Sequence, residues 1–316
     1  MTVLTQSRPS TVDPSLLLIS EEVADALVAG RPVVALESSV LSGFPYPENL
    51  ALARQMDDRI REHGAVPARI GLLGGRILVG MDEDRLDAFC AHPKVPKVST
   101  RDIGITLAGG GPGGTTVSSS LAAAEIAGIE VFAVAGIGGV HRDAPTSFDI
   151  STDLAQFTRS GTAVVCAGAK SMLHPRWTLE WLETAGIPVI GYRCDDFPAY
   201  LSVSSGVRNP HRLDDLGDIA RATRAHWRSG NHTSVLVTHP IAEADGIPSE
   251  EIAEVLETAT AAAARDGVTG PAVTPYLLKA LAEATEGRTA AANRSVLLST
   301  IAVAAQFAVR LAEESR

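Results

Sequence analysis

The chain has 316 residues, 45% hydrophobic and 20% charged, with a formal net charge of −10. This composition supports a buried core and excludes bulk disorder, and with only 4% aromatic residues that core must be aliphatic and alanine-rich. An acidic balance without a basic stripe argues against a nucleic-acid partner, no apolar run of about 18 residues predicts a membrane span, and the opening MTVLTQSRPSTVDPS lacks the apolar segment of a secretion signal, so the cytoplasm is the expected compartment.

Residues 1–15, with two Pro and several Ser and Thr, read as a flexible N-terminal tail, and residues 16–316 as one domain. Ser20 before Glu21 and Glu22 marks a helix start, because acidic residues in the first turn suit the helix dipole; Gly30 and Pro32 end that helix. Residues 33–36 predict a buried strand with Glu37 at its C-terminal end. A helix is expected over 48–63 and a strand over 69–73. An apolar run over 103–108 then leads into the glycines at 109–114, read as a turn that opens a helix over 115–127. Further strands are expected at 131–135, 163–167, 187–192 and 234–238, with a helix over 179–184. From Ser249 the chain reads as helical, with later stretches at 276–284 and 293–314. Strands alternating with helices across short glycine turns predict an α/β fold, a single-domain α/β/α layering around a largely parallel or mixed central sheet.

Lysine usage is the most informative feature. Of 27 basic residues only Lys94, Lys97, Lys170 and Lys279 are Lys, so arginine serves wherever a generic positive charge is needed. Lys170 directly follows the apolar run VVCAGA and would emerge at a sheet edge. A desolvated amine there can attack a carbonyl, whereas an arginine cannot shed its proton; snorkelling from a strand end is the competing reading. Glu37 ends an apolar strand at the edge where α/β ligands usually sit, and partial burial would suit it to acid–base work, or it is a capped edge residue. The run Gly109–Gly114 is neither a dinucleotide fingerprint nor a Walker loop. It reads as a structural turn or as a helix start able to hold an anion. Asp149, Ser151 and Asp153 in DISTD could face one hard cation or serve as turn and cap residues. His141 follows a glycine-rich strand end and is otherwise a loop histidine. Cys90, Cys166 and Cys194 show no CxxC pairing and read as reduced thiols.

Taken in order, VVALESSVLS, KVSTRDI, GGTTVSSSLAAAEIAGIEVFAVAGIGGVHR, FDISTDL, AVVCAGAKS, IPVIGY, TPYLL and the helix around Asn293 resemble the pseudouridine-5′-phosphate glycosidase family, from about Leu16 to Glu313. The resemblance implies reversible cleavage of the carbon–carbon glycosidic bond of pseudouridine 5′-phosphate to uracil and ribose 5-phosphate. It implies Lys170 as the nucleophile forming an imine with C1′ and Glu37 as the proton donor. Lys97, Val117, His141, Ser151, Thr152, Asp153 and Asn293 are implied substrate-pocket residues. Asp149 is implied to bind Mn²⁺ or another divalent cation, and the assembly is implied to be a homotrimer. Three positions depart from the family pattern. Gly43 follows SSVLS directly, where a His usually precedes the glycine. Gly111 stands in a loop that often carries a Lys, and His239 stands where Asn commonly precedes the proline. A related C-glycosidase or synthase taking a different base, in a pigment or C-nucleoside pathway, and a catalytically silent ligand-binding homologue are the alternative expectations.

Overall fold

Short runs of aliphatic residues become the strands of one central sheet in the computed structural model, which describes residues 13–268 and 273–315. Most of the expected tail, residues 1–12, lies outside the described residues, as do the side chains of Thr274 and Pro275 in TPYLL.

The described chain enters through a 3-10 turn at Pro14–Leu16 into β1 (Leu17–Ile19). Helix α1 (Glu21–Val28), capped by the Ser20 hydroxyl, precedes β2 (Val33–Leu36). Helix α2 (Glu48–Glu62) crosses to β3 (Val66–Leu73), which turns back into β4 (Arg76–Val79). Next come α3 (Glu83–Ala91), the two-residue β5 (Lys97–Val98), α4 (Ile103–Gly109), β6 (Gly113–Thr115), α5 (Val117–Ala127) and β7 (Val131–Ala133). Short helices α6 (Ala144–Ser147) and α7 (Thr152–Phe157) lead to β8 (Ala163–Cys166), α8 (Pro175–Thr184), β9 (Val189–Tyr192), β10 (His211–Leu213), α9 (Leu216–Arg228) and β11 (Val235–Thr238). Helices α10 (Ser249–Arg265), α11 (Val273–Ala284) and α12 (Arg288–Glu313) follow.

The sheet runs β1-β4-β3-β2-β7-β8-β11-β9-β10, with β6 joined to β3 and β5 to β6. Every pair from β3 to β10 along that path is parallel; β4 and β6 run antiparallel to β3, so the sheet is mixed. β2, β7, β8, β9 and β11 are buried at every residue. Helices α2, α9 and α12 cover one face, and α5 with α7 the other. Coverage on both faces is why these strands read as unbroken apolar runs rather than alternating ones. From β2 the chain crosses to β3 on one side, whereas β7 lies on the other side and continues outward to β8. The C-terminal ends of β2 and β7 therefore flank a topological switch point, where an open parallel sheet leaves a crevice for ligands.

Two expectations are corrected. The glycine run does not form a turn opening a helix. Gly109 ends α4, Gly110 closes it in the left-handed conformation, and Gly113 and Gly114 lie in β6. A Cβ on Gly113 would come within 2.7 Å of the Val98 side chain, so that glycine serves close strand packing. The second concerns α12, which is long and apolar enough to cross a membrane, with a mean hydropathy of 1.7 in its best window. Some 56% of that window is buried, against β2, β7 and β8, the place of a core helix.

Candidate active site

The crevice at the switch point holds a cavity of about 200 Å³ lined by residues from six separate segments. Glu37 enters it directly after β2. Its backbone is braced from below: the fully buried Arg69 of β3 donates to the Glu37 carbonyl at 3.3 Å while pairing with Asp57 of α2 at 2.7 Å. The Glu37 carboxyl is 9% exposed and accepts a hydrogen bond from the Ser39 hydroxyl at 3.0 Å. Burial pushes its pKa above the usual 4.5, outweighing Lys170, Lys97 and Ser39, which pull it down. A carboxyl in that setting keeps its proton to higher pH than an exposed one and can deliver it.

Lys170 emerges after β8. Gly168, with φ +79°, turns the chain there, and any Cβ on it would strike the Pro198 carbonyl at 2.0 Å. The Lys170 N–H donates to the Ile137 carbonyl at 3.0 Å, which ties the β8 end to the β7 end. Lys97, on β5, is exposed and lines the same cavity. The Lys170 charge first, and burial second, hold the Lys97 pKa below its usual value, with Glu37 and Asp153 acting the other way. No ion pair within 4.0 Å engages Lys97 or Lys170 among the described residues. Two amines and a carboxyl of raised pKa thus line one cavity with no ion pair between them.

Asp153 organises the opposite wall. It is 6% exposed, and its two oxygens accept from the Gly138 N–H at 2.8 Å and the Ser118 N–H at 3.0 Å. The carboxylate therefore occupies the N-terminus of α5, the helix start that the sequence left open to an anion. A Cβ on Gly138 would fall 2.7 Å from that carboxylate and 2.1 Å from the Ser151 hydroxyl, so glycine is required for this close approach. Ser151 caps α7 by accepting from the Asp153 N–H at 3.2 Å, and Thr152 meets the Ser118 hydroxyl at 3.3 Å. The three oxygens of DISTD therefore do not converge on one cation; this stretch is a cap and a brace.

Glu37, Lys97, Val117, His141, Ser151, Thr152, Asp153 and Lys170 all line this one cavity. Asp149 and Asn293 do not. Asp149 stands outside, half exposed, with its carboxylate 3.8 Å from the His141 Nε2. Asn293, on α12, accepts a hydrogen bond from the Tyr200 hydroxyl at 2.5 Å. Sequence reasoning missed Ser99, Met172 and Leu173 in the lining, and Tyr200, whose ring lies close to the Lys170 stem. Met172 and Leu173 come two and three positions after Lys170, a signal that was present but generic. Lys170 and Leu173 also line a second hollow of about 260 Å³ with Arg142, Ser202 and Ser249, so Lys170 stands between two spaces.

Metal binding can be tested against the side chains. No group of three or more His, Cys, Asp or Glu that could hold an ion occurs among the described residues. Asp149 with His141 nearby offers one carboxylate and one imidazole. That donor set suits a hard cation keeping most of its waters, and nothing tighter.

Fold and cavity together define an α/β enzyme that presents lysine and a carboxylic acid to one ligand-sized space at the switch point of its sheet. The chain belongs to the family described as indigoidine synthase A like protein, which matches residues 22–310. A pseudouridine-5′-phosphate glycosidase of Dickeya dadantii is 54% identical over 294 residues, 93% of each chain. The pseudouridine-5′-phosphate glycosidase 1 of Photorhabdus laumondii is 47% identical over 92% of each. Among solved structures, the prealnumycin C-glycosynthase AlnA in complex with ribulose 5-phosphate superposes with a TM-score of 0.90 at 46% identity, covering 95% of this chain and 98% of AlnA. An indigoidine synthase A-like protein from Thermotoga maritima gives a TM-score of 0.83 at 35% identity, covering 94% and 97%.

Proposed function

We propose that this enzyme reversibly cleaves the carbon–carbon glycosidic bond of pseudouridine 5′-phosphate, giving uracil and ribose 5-phosphate. The observation that carries the reading is the meeting of Lys170, Lys97 and a protonatable Glu37 in one cavity, in a chain whose curated relatives bear that activity in their names.

The residue types suit the chemistry. A C-glycoside has no exocyclic oxygen to protonate, so the bond needs an electron sink at C1′. In the cleavage direction the Lys170 Nζ bonds to C1′ as the C1′–O4′ bond breaks and O4′ takes a proton. Protonation of uracil C5 from Glu37 then lets the C1′–C5 pair leave with the base. The iminium left on Lys170 is hydrolysed by water, which frees the amine and releases ribose 5-phosphate. Lys97, in the same lining, supplies a cation for an anionic substrate. Asp153 holds the α5 start and the β7 loop in register beneath it. A divalent cation at Asp149, Mn²⁺ by the family resemblance, would screen the ligand's negative charge when bound.

We read the assembly as a homotrimer. The apolar helix α4, which buries none of its residues, and the exposed Phe148 offer it a surface. We place the enzyme in the cytoplasm, where phosphorylated sugars are retained. The likeness to AlnA supports a second reading, a C-glycosynthase taking another base, because the loop at Gly43 departs beside Glu37.

Incubation with pseudouridine 5′-phosphate, Mn²⁺ and borohydride tests the reading. Uracil release and a reduced adduct mapped to Lys170 are expected; neither appearing would overturn it. A panel of bases offered with ribose 5-phosphate separates the two readings, since a clear preference for uracil removes the second. Ligand binding without any turnover would leave only a binding protein.

A further inference from the structure

The two oxygens of the Glu37 carboxyl are not equivalent. Among the described residues only the Ser39 hydroxyl hydrogen-bonds the group, donating to Oε2 at 3.0 Å, and Oε1 has no protein partner. The Ser39 hydroxyl in turn has no other protein acceptor among the described residues. The backbone that carries both residues is held on each side. Ser39 opens the 3-10 turn Ser39–Gly43, which the Ser42 hydroxyl closes by donating to the Ser39 carbonyl at 2.7 Å. The buried Ser38 accepts from the Thr115 N–H of β6 at 3.0 Å. A Cβ on Gly114 would come within 3.2 Å of the Ser39 Cα, so β6 packs directly on the turn. Arg69 holds the Glu37 carbonyl from β3. The other titratable groups that face the carboxyl do not bond it: Lys170 beyond β8, Lys97 on β5, Asp153 on α7 and the Tyr200 phenol. His141 lines the same cavity, and the Arg69 charge is paired with Asp57.

We infer that Ser39 is a positioning residue for the transferred proton: its hydroxyl holds Oε2 as the carbonyl oxygen of the acid, and Oε1 is the oxygen that gives the proton to uracil C5 and takes it back in synthesis. A hydroxyl offers one hydrogen, and a protonated carboxyl has one O–H. With Ser39 donating to Oε2, the acid proton sits on Oε1 and can leave without breaking a bond to the protein. Donation to a carboxylate is stronger than donation to a neutral acid, so the same hydroxyl favours the ionised form and opposes the effect of burial. The inference rests on the proposed function and adds which oxygen acts and which residue selects it.

An infrared pH titration of the full-length enzyme reads the acid directly, through the protonated-carboxyl C=O band that Glu37→Gln abolishes. In Ser39→Ala that band should move to higher frequency, because its oxygen has lost a donor, and should persist to about one pH unit higher. The kcat for uracil release should fall about ten-fold as the carboxyl loses its orientation, while the borohydride adduct with ribose 5-phosphate alone is retained. Ser39→Thr keeps the hydroxyl and should restore band, titration and kcat together. A band that keeps its frequency in Ser39→Ala overturns the inference, because the proton would then sit on Oε2. A lowered Tm with an unmoved titration, the mark of a merely structural serine, overturns it as well, as does a loss of kcat that Ser39→Thr leaves in place. If the unaltered enzyme forms no adduct and releases no uracil, the proposed function fails and the proton's destination with it. A shifted band would even then uphold the hold of Ser39 on the carboxyl, so the two failures are told apart.

Discussion

Two polar clusters lie along the same C-terminal edge of the sheet. Beyond β9 and β11, Asn209 donates to the Cys194 carbonyl at 3.3 Å and the Asp196 carbonyl at 2.9 Å. The Thr238 hydroxyl reaches the Asn209 Oδ1 at 3.4 Å, and the Cys194 thiol contacts the Thr238 carbonyl at 3.6 Å. Apart from the buried Nδ1 of His239, these groups satisfy one another and line no described cavity. Beyond β2, β7 and β8 the braces are equally well bonded, as Asp153 and Arg69 show, but Lys97 and Lys170, which line a hollow, make no ion pair within 4.0 Å among the described residues. Both clusters are polar and both sit where strands end. What separates them is whether the protein spends its donors and acceptors on itself. Self-satisfied groups hold a fold together, whereas groups kept apart from their partners are available to a ligand.

Substitutions that break this contrast should rank accordingly. The largest effect is expected for Lys170→Ala, which removes the proposed nucleophile: the borohydride adduct and uracil release should both vanish in a fold that still melts cooperatively. Glu37→Gln should lower kcat by about 10²- to 10⁴-fold, the range for a lost general acid. It carries a second signature in stability. The folded pKa of Glu37 lies above its unfolded value of about 4.5, so the fold favours the protonated form. Its contribution is fully present below pH 4.5 and is lost as pH rises through the folded pKa. Gln, which never ionises, should therefore raise Tm at neutral pH, and the gain should shrink toward pH 4.5. A Tm gain that is independent of pH would contradict the burial of this carboxyl.

Asp153→Ala removes two charge-assisted hydrogen bonds and should cost about 3 kcal/mol of stability or more, measured by urea unfolding, with turnover falling as the wall loosens. On the other side of the comparison, Asn209→Ala should cost about 1–3 kcal/mol and leave kcat unchanged. A large loss of activity there would show that the self-satisfied cluster is not purely structural. The smallest effect is expected for Asp149→Asn. It should weaken Mn²⁺ activation, read as a rightward shift of the metal titration, while the metal-free rate stays as it was.

Much of the site was legible before the structure. Glu37 and Lys170 each followed an unbroken apolar run, and a strand buried on both faces has to end in whatever lines the sheet edge. Lys97 was legible only through the family resemblance of KVSTRDI, since rarity alone does not separate it from Lys94 or Lys279. DISTD left two readings open, because alternating oxygens look alike whether they face an ion or backbone amides; in the structure Ser151 and Asp153 serve as cap and brace. The glycine run was misread for a related reason: the need for glycine at Gly113 comes from Val98, fifteen positions away in the chain.

By itself the sequence determined the parallel core, the strand ends that carry Glu37 and Lys170, and the family, because all three are written in local runs of residues. Only the tertiary structure decided that β2 and β7 border the switch point, that Asp153 spends its charge on α5, and that Tyr200 links Lys170 to Asn293. Those relations depend on strand order and on close approaches between distant segments, and no local pattern of side chains encodes either.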